Sequence, residues 1–118
     1  MTSSFTHFAA KESIDGLALR EAIDRAARGL IDADLGGGVI KQRVARPGQG
    51  RSAGFRTVIA FRAGARAFFI HGFAKSRRAN VSKSELAKLK LLASVYFELN
   101  ESQIAKQLSV GELKRIPP

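Results

Sequence analysis

Apolar side chains recur at helical spacing near the start of the chain. Over residues 15–30 the charged side chains, Arg25 among them, take the opposite face, and Asp15 stands where an N-cap is expected. The apolar set is Leu19, Ile23, Ala26 and Leu30. This pattern predicts an amphipathic helix that the three consecutive glycines at 36–38 bring to an end.

A second helix is predicted over residues 82–98. Ser82 and Glu85 have the spacing of a capping box, in which each side chain accepts a hydrogen bond from the other residue's backbone. The apolar stripe that follows is Leu86, Leu89, Ala93, Tyr96 and Phe97. Residues 101–108 predict one more short helix, whereas residues 1–12 fit either a short strand or the first turns of a helix.

Three runs rich in Val, Ile and Phe predict strands over residues 39–45, 55–61 and 67–73. Their connections are short and rich in glycine, so we expect an antiparallel meander. Side chains alternate between the two faces of a strand. Alternation therefore puts Lys41 and Arg43 on one face of the first strand and Arg56 opposite the apolar residues of the second. In the third strand, alternation puts Phe69, His71 and Phe73 on one face.

Charge is distributed unevenly. No Asp or Glu occurs between Asp34 and Glu85, although eleven Lys or Arg fall in that gap, and the formal net charge of the whole chain is +10. Because the same segment is patterned as a sheet, it predicts a folded cationic surface and not a disordered tail. One face would pack on helices and the other would present cations to a polyanion such as nucleic acid.

Composition excludes several other classes of protein. The chain has no cysteine and only two histidines, so a disulfide framework, a thiolate metal site and a protein-only zinc site are not expected. No apolar run approaches the roughly 20 residues of a membrane span. The glycines at 48–54 lack the Lys-Ser/Thr ending of a P-loop and connect two strands, so they predict a turn. We expect one cytoplasmic domain without metal or small-molecule cofactor.

Several local features invite a functional interpretation. Residues 75–78 follow the third strand and would form a cationic edge beside Lys41, Arg43 and Arg56. A single histidine in an apolar strand, such as His71, is more often packed than catalytic. Residues 103–111 resemble the start of a helix-turn-helix, but the chain ends too soon afterwards for a DNA-reading role.

Three blocks of sequence, taken in order, resemble the RelE/ParE superfamily of toxins from type II toxin–antitoxin systems, and most of all the HigB-like RelE branch. The blocks span residues 30–41, 46–57 and 72–76, and the second contains the Arg-Ser-x-Gly-aromatic-Arg core at 51–56. The resemblance implies an α+β RelE-like domain over residues 1–118. N-terminal helices would pack on a small twisted antiparallel sheet, and C-terminal helices would follow.

The same resemblance implies a function. RelE toxins cut mRNA in the ribosomal A site without a metal, the ribose 2′-OH attacking the adjacent phosphate. A cognate antitoxin binds and inhibits the toxin. This chain is therefore expected to be a ribosome-dependent mRNA endonuclease, or mRNA interferase, whose partners are mRNA in the ribosome and an antitoxin.

The resemblance assigns RelE site roles to some residues of this chain. By this resemblance Arg56 contacts the scissile phosphate, and Lys41 and Arg43 hold RNA and take part in proton transfer. Lys75 adds a further cation at the catalytic site. The remaining RNA-binding candidates are Arg46, Arg51, Arg77 and Arg78.

The proton-transfer part of the RelE mechanism is not matched. Where RelE proteins have a catalytic tyrosine this chain offers Ser82, and Tyr96, its one tyrosine, lies on an apolar helix face. The base could be a lysine, His71 or a ribosomal group. Two alternatives therefore stay open: an inactive relative that binds RNA or the ribosome, and a ParE-like, non-enzymatic inhibitor of gyrase.

Overall fold

The computed structural model describes residues 1–45, 54–75 and 80–118. Two helices, α1 (Ser3–Lys11) and α2 (Gly16–Ala27), precede four strands, which are β1 (Ala33–Gly36), β2 (Val39–Val44), β3 (Phe55–Phe61) and β4 (Ala67–Ala74). Two further helices follow, α3 (Lys83–Phe97) and α4 (Glu101–Ser109). The predicted α+β fold is confirmed, and residues 1–12, for which the sequence left two alternatives, are helical.

The strands form one antiparallel sheet in the order β1-β2-β3-β4. The predicted three-strand meander is therefore confirmed and extended by β1, which the sequence analysis missed. Gly36 pairs with Val39, and the two residues between them, Gly37 and Gly38, have φ angles of 64° and 78°. Positive φ at both positions is what a two-residue type I′ hairpin requires. The glycines thus make a hairpin and do not merely end a helix.

Helices pack on both faces of the sheet. On one face α1 and α2 bury an apolar cluster whose largest fully buried members are Phe5, Leu19, Phe55, Ile59 and Phe69. Gly72 lies beneath α1, where a Cβ atom would come within 2.5 Å of the Phe8 ring. The absence of a side chain at Gly72 therefore lets α1 lie directly on β4.

Among the described residues, helices cover one end of the opposite face. There α3 and α4 bury the cluster Val39, Val58, Ala60, Phe68, Ile70, Ala93, Ile104 and Leu113. The stripe predicted for α3 faces this cluster as expected, and its capping box between Ser82 and Glu85 is present. The helix predicted over 15–30 ends at Ala27, so Leu30 lies beyond it with 56% of its surface exposed. The end of this sheet face that lies beyond the apolar cluster under α3 and α4 is the cationic one.

Candidate functional site

The end of the face beyond this apolar cluster brings together side chains from three strands. Lys41 pairs with Val58 and Arg43 with Arg56 across β2 and β3, while His71 and Phe73 of β4 lie opposite Val58 and Arg56. Directly opposed residues of neighbouring strands share a face. We call the set Lys41, Arg43, Arg56, His71 and Phe73 the cationic face. The predicted grouping of Lys41, Arg43 and Arg56 follows from this register.

At Arg43, side chains make the backbone hydrogen bonds that a neighbouring strand would otherwise make. The strand β1 pairs with β2 only as far as Lys41. Beyond it, the Asp32 carboxylate accepts the Arg43 backbone N–H at 2.7 Å, and the Arg25 guanidinium donates to the Arg43 carbonyl. Arg25 also pairs with Asp32 at 3.3 Å and with Glu21 at 2.5 Å. These contacts fix the end of β2 from which Arg43 projects.

The placement of Arg25 differs from the sequence analysis. The predicted pair with Glu21 is present, but Arg25 is 6% exposed and does not lie on a solvated face. Helical periodicity assigned it to the charged side because it could not show that a strand edge with an unmatched carbonyl lies there. Burial of its charge is compensated by two carboxylates and a backbone acceptor.

Arg43 and Arg56 form a pair of like charges on adjacent strands. The backbone N–H and C=O of Arg43 point toward Asp32 and Arg25, away from β3. Arg43 and Arg56 are therefore a non-hydrogen-bonded pair, in which the Cα atoms are about 4.5 Å apart and the side chains are close. Like charges directly opposite each other destabilise a sheet. An opposing anion would relieve that repulsion.

Arg56 is the most unusual member of the cationic face. It is only 7% exposed, and its Nη1 atom is buried with no hydrogen-bond partner among the described residues. Burial lowers the pKa of the Arg56 guanidinium, the charge of Arg43 lowers it further, and the Asp32 carboxylate opposes both. A buried, incompletely bonded cation is costly to a fold and suits an anion that binds to it.

A β-bulge turns His71 and Phe73 toward this face. The register shifts between Val58, which pairs with His71, and Ile59, which pairs with Phe69. Phe69 consequently packs in the α1/α2 cluster, whereas His71 and Phe73 face the arginines. The prediction that Phe69 shares a face with His71 is wrong, because strict alternation does not allow for the extra residue. Bulges are common beside functional sites, where they redirect a side chain.

The N-terminal end of α3 adds polar groups to the cationic face. The Nε2 atom of His71 lies 4.0 Å from Oε2 of Glu85, whose Oε1 accepts the Ser82 backbone N–H at 3.0 Å in the capping box. Lys41 Nζ donates to Asn80 Oδ1 at 3.4 Å. Glu85 was recognised in the sequence only as a helix cap.

Asp32 was also missed as a member of the site. The basic stretch itself contains no carboxylate, but Asp32 and Glu85, which lie just outside that stretch, approach it from either side. No local signal in the sequence indicated that they converge.

The other predicted site residues have different outcomes. Lys75 follows β4 directly and is exposed, its backbone N–H lying 3.5 Å from the Gly54 carbonyl. Ser82 is the N-cap of α3, as predicted, and Tyr96 stacks on Phe68 with ring centroids 5.0 Å apart. The RNA-binding candidates Arg46, Arg51, Arg77 and Arg78 lie outside the described residues.

The described residues contain neither a metal-binding cluster nor a membrane-spanning helix. In residues 1–45, 54–75 and 80–118, no cluster of His, Asp and Glu is arranged to hold a metal ion. No helix within the same ranges has the length and apolar character needed to cross a membrane.

Comparison with known proteins identifies the family. A family model described as the RelE toxin of the RelE/RelB toxin–antitoxin system matches residues 1–116, which is nearly the whole chain. No curated protein and no solved structure matches the chain significantly. The chain thus belongs to the RelE toxin family, and it is the toxin of a toxin–antitoxin system, with an antitoxin as its partner.

Proposed function

We propose that this toxin is a metal-independent mRNA endonuclease of the HigB-like branch that acts in the ribosomal A site. The observation that carries the proposal is the buried Arg56 side chain, whose Nη1 atom has no partner among the described residues and which lies on the same sheet face as Lys41 and Arg43. Three cations at this density are best matched by a polyanion. The family membership makes translated mRNA the polyanion we favour.

Arg56 is proposed to bind the scissile phosphate. When the ribose 2′-OH attacks, negative charge accumulates on the phosphorane oxygens, and a fixed donor in a partly dry site stabilises that charge more than water would. The guanidinium offers planar N–H donors that match phosphate oxygens. Lys41 and the exposed Arg43 and Lys75 would hold the flanking phosphates.

Proton transfer is proposed to involve His71. The reaction needs a base for the 2′-OH proton and an acid for the 5′-oxygen that leaves. His71 shares a face with Arg56, and its Nε2 atom lies 4.0 Å from Oε2 of Glu85. An imidazole can serve as a base or an acid near neutral pH. The bulge that brings His71 to this face supports His71 over the other bases that the sequence left open. Lys41 and the ribosome remain the alternative sources of this group.

A second candidate function is an inactive relative that binds RNA or the ribosome. The placement of Tyr96 favours it, because that ring stacks on Phe68 under α3 and the tyrosine of RelE proteins has no counterpart on the cationic face. A gyrase inhibitor is the third candidate, and it would not require Arg56 for bond cleavage. Growth arrest separates the inactive relative from the two poisons.

The test is induced expression in a bacterial host, whose cytoplasm supplies the translating ribosomes that the proposed reaction needs. Growth and mapped mRNA 5′ ends are recorded for the wild type, for Arg56→Ala, and for Arg28→Ala as a control at the exposed end of α2. Growth arrest with new 5′ ends inside translated codons, present in the control and lost in Arg56→Ala, is the expected result. Arrest with DNA damage and intact transcripts would support gyrase inhibition. Soluble protein without arrest would support the inactive relative.

A further inference from the structure

The far end of the same sheet face carries two more arginines. Arg62 and Arg66 flank the turn of the β3–β4 hairpin, and both line a cavity of about 100 Å³ together with Tyr96 and Phe97. The Arg62 guanidinium lies over the Phe97 ring, 4.0 Å from its centroid. We call Arg62, Arg66, Tyr96 and Phe97 the hairpin pocket. It has no part in the cationic face described above.

We propose that the hairpin pocket binds a backbone phosphate of ribosomal RNA, at a segment distinct from the mRNA strand that meets Arg56. This inference rests on the proposed ribosome-dependent function and names a second contact with the same partner. It concerns binding only and includes no chemical step.

The chemistry of the pocket suits a phosphate. Stacking on Phe97 uses the flat face of the Arg62 guanidinium and restricts its motion, while the N–H donors at its edge stay available for planar contact with phosphate oxygens. Among the described residues Arg62 makes no ion pair. A preorganised, exposed arginine that no acidic side chain of the described residues pairs with is a favourable phosphate contact.

Arg66 is paired, but weakly. Its Nη2 atom lies 3.2 Å from Oε1 of Glu101, and the two side chains are 51% and 88% exposed. Exposed pairs of this kind contribute little to stability, so a phosphate can replace the carboxylate at small cost. The Tyr96 hydroxyl is a third polar group, and burial, with a smaller effect from Glu112, raises the pKa of Tyr96. It therefore stays protonated and can donate a hydrogen bond.

Geometry separates the pocket from the cationic face. Arg56 and Arg62 are six residues apart along one strand direction, which corresponds to about 20 Å. The helix α3 lies between them: Glu85 at its start approaches His71, and Phe97 at its end lies under Arg62. Because the packed side chains of α3 cover the sheet between the two sites, one short RNA strand has no direct path across. Two separate RNA segments, as a ribosome offers, fit this arrangement.

The experiment measures equilibrium binding of the purified toxin to vacant ribosomes and, separately, to a 12-nucleotide single-stranded RNA. The test variant is Arg62→Ala/Arg66→Ala, and the control Lys11→Ala/Arg28→Ala removes the same charge from the exposed ends of α1 and α2. Arg62→Gln/Arg66→Gln is a second test variant that removes both charges but keeps a polar group and part of each aliphatic stem. It decides the question if the alanine variant fails to fold, as judged by circular dichroism.

We expect the test variants to bind ribosomes at least tenfold more weakly. The slope of log K against log salt should become shallower by about 1, because one phosphate contact is lost. The control should change affinity less than threefold, and affinity for the short RNA should be unchanged. Ribosome affinity equal to that of the control would overturn the inference. An equal loss of affinity for the short RNA would refute the claim that the pocket contacts an RNA segment distinct from the strand at Arg56.

Failure of this inference is distinguishable from failure of the proposed function. A wild-type toxin that cleaves mRNA while the hairpin variants bind ribosomes normally would refute the hairpin pocket alone. Weak ribosome binding by the hairpin variants, with a wild type that cleaves nothing, would support the pocket and refute the endonuclease.

Discussion

Replacing Arg56 by methionine should stabilise the protein while abolishing its function. The wild-type fold holds a guanidinium that is 7% exposed, with an Nη1 atom that no described residue bonds, directly opposite the like charge of Arg43. Methionine keeps an unbranched apolar stem of similar reach, so packing against the sheet is largely retained. The substitution removes the polar group that burial penalises.

The expected magnitude follows from three contributions. An unsatisfied buried donor costs about 1–3 kcal/mol, and relief of the cross-strand repulsion contributes up to about 1 kcal/mol. Against these stand the lost attraction between Arg56 and Asp32 and imperfect packing of the new side chain, together about 1 kcal/mol. The free energy of unfolding should rise by up to about 3 kcal/mol, and each kcal/mol raises Tm by about 3–5 °C for a chain of this size.

The assay is urea and thermal unfolding of the purified toxin without its antitoxin. Arg115→Met is the matched control, because Arg115 is an exposed arginine outside the sheet and its replacement should leave Tm within about 2 °C. A fall in the free energy of unfolding for Arg56→Met would refute the reasoning. It would mean that contacts of Arg56 stabilise the fold more than its burial destabilises it.

Four further outcomes are expected. Gln42→Leu should lower the free energy of unfolding by about 2–4 kcal/mol in urea titration, because the fully buried amide makes three hydrogen bonds to backbone groups. The control Gln107→Leu, at a half-buried position of α4, should change the free energy of unfolding little. Gly72→Ala should cost about 1–3 kcal/mol in the same assay, since the new methyl group meets the Phe8 ring, and an unchanged stability would show that α1 can shift. Glu85→Gln preserves a capping box but removes the charge beside His71. Tm should therefore stay the same, while mRNA cleavage slows at least tenfold. Cleavage at the wild-type rate would exclude the His71–Glu85 pair from proton transfer. Affinity for the antitoxin should fall as salt is raised, measured by calorimetry, and a salt-independent affinity would contradict an acidic antitoxin that masks the cationic face.

Patterns along single elements gave the correct predictions. The spacing of apolar residues located α2 and α3, and Ser82 with Glu85 marked the start of α3 correctly. Alternation put Lys41 and Arg43 on one face of β2, and the predicted meander grouped Arg56 with them. The register that sets Arg56 opposite Arg43 comes from the structure. These features depend on residues close in sequence, for which periodicity is a direct physical signal.

Features that depend on distant residues were not predictable in the same way. The bulge in β4 moves His71 to the opposite face from Phe69. The one local signal for it in the run 67–73 is Gly72, which suggests a bulge or a close approach but does not give the register. Arg25 is buried because a β2 carbonyl beyond the end of β1 needs a donor. The β1–β2 hairpin is the exception, since Gly-Gly between two short runs is a recognised hairpin signal that was interpreted as a helix end.

The most direct test of the central claim is single-turnover cleavage of a defined mRNA on ribosomes with an open A site. Wild-type toxin and Arg56→Ala are compared on an all-ribose message and on one with a single 2′-deoxynucleotide at the cleaved position. The account predicts that the wild type cuts only the ribose message, leaving a 2′,3′-cyclic phosphate, and that Arg56→Ala is at least a hundredfold slower although it still binds the ribosome. Cleavage of the deoxy message, or an Arg56→Ala rate equal to that of the wild type, would contradict it.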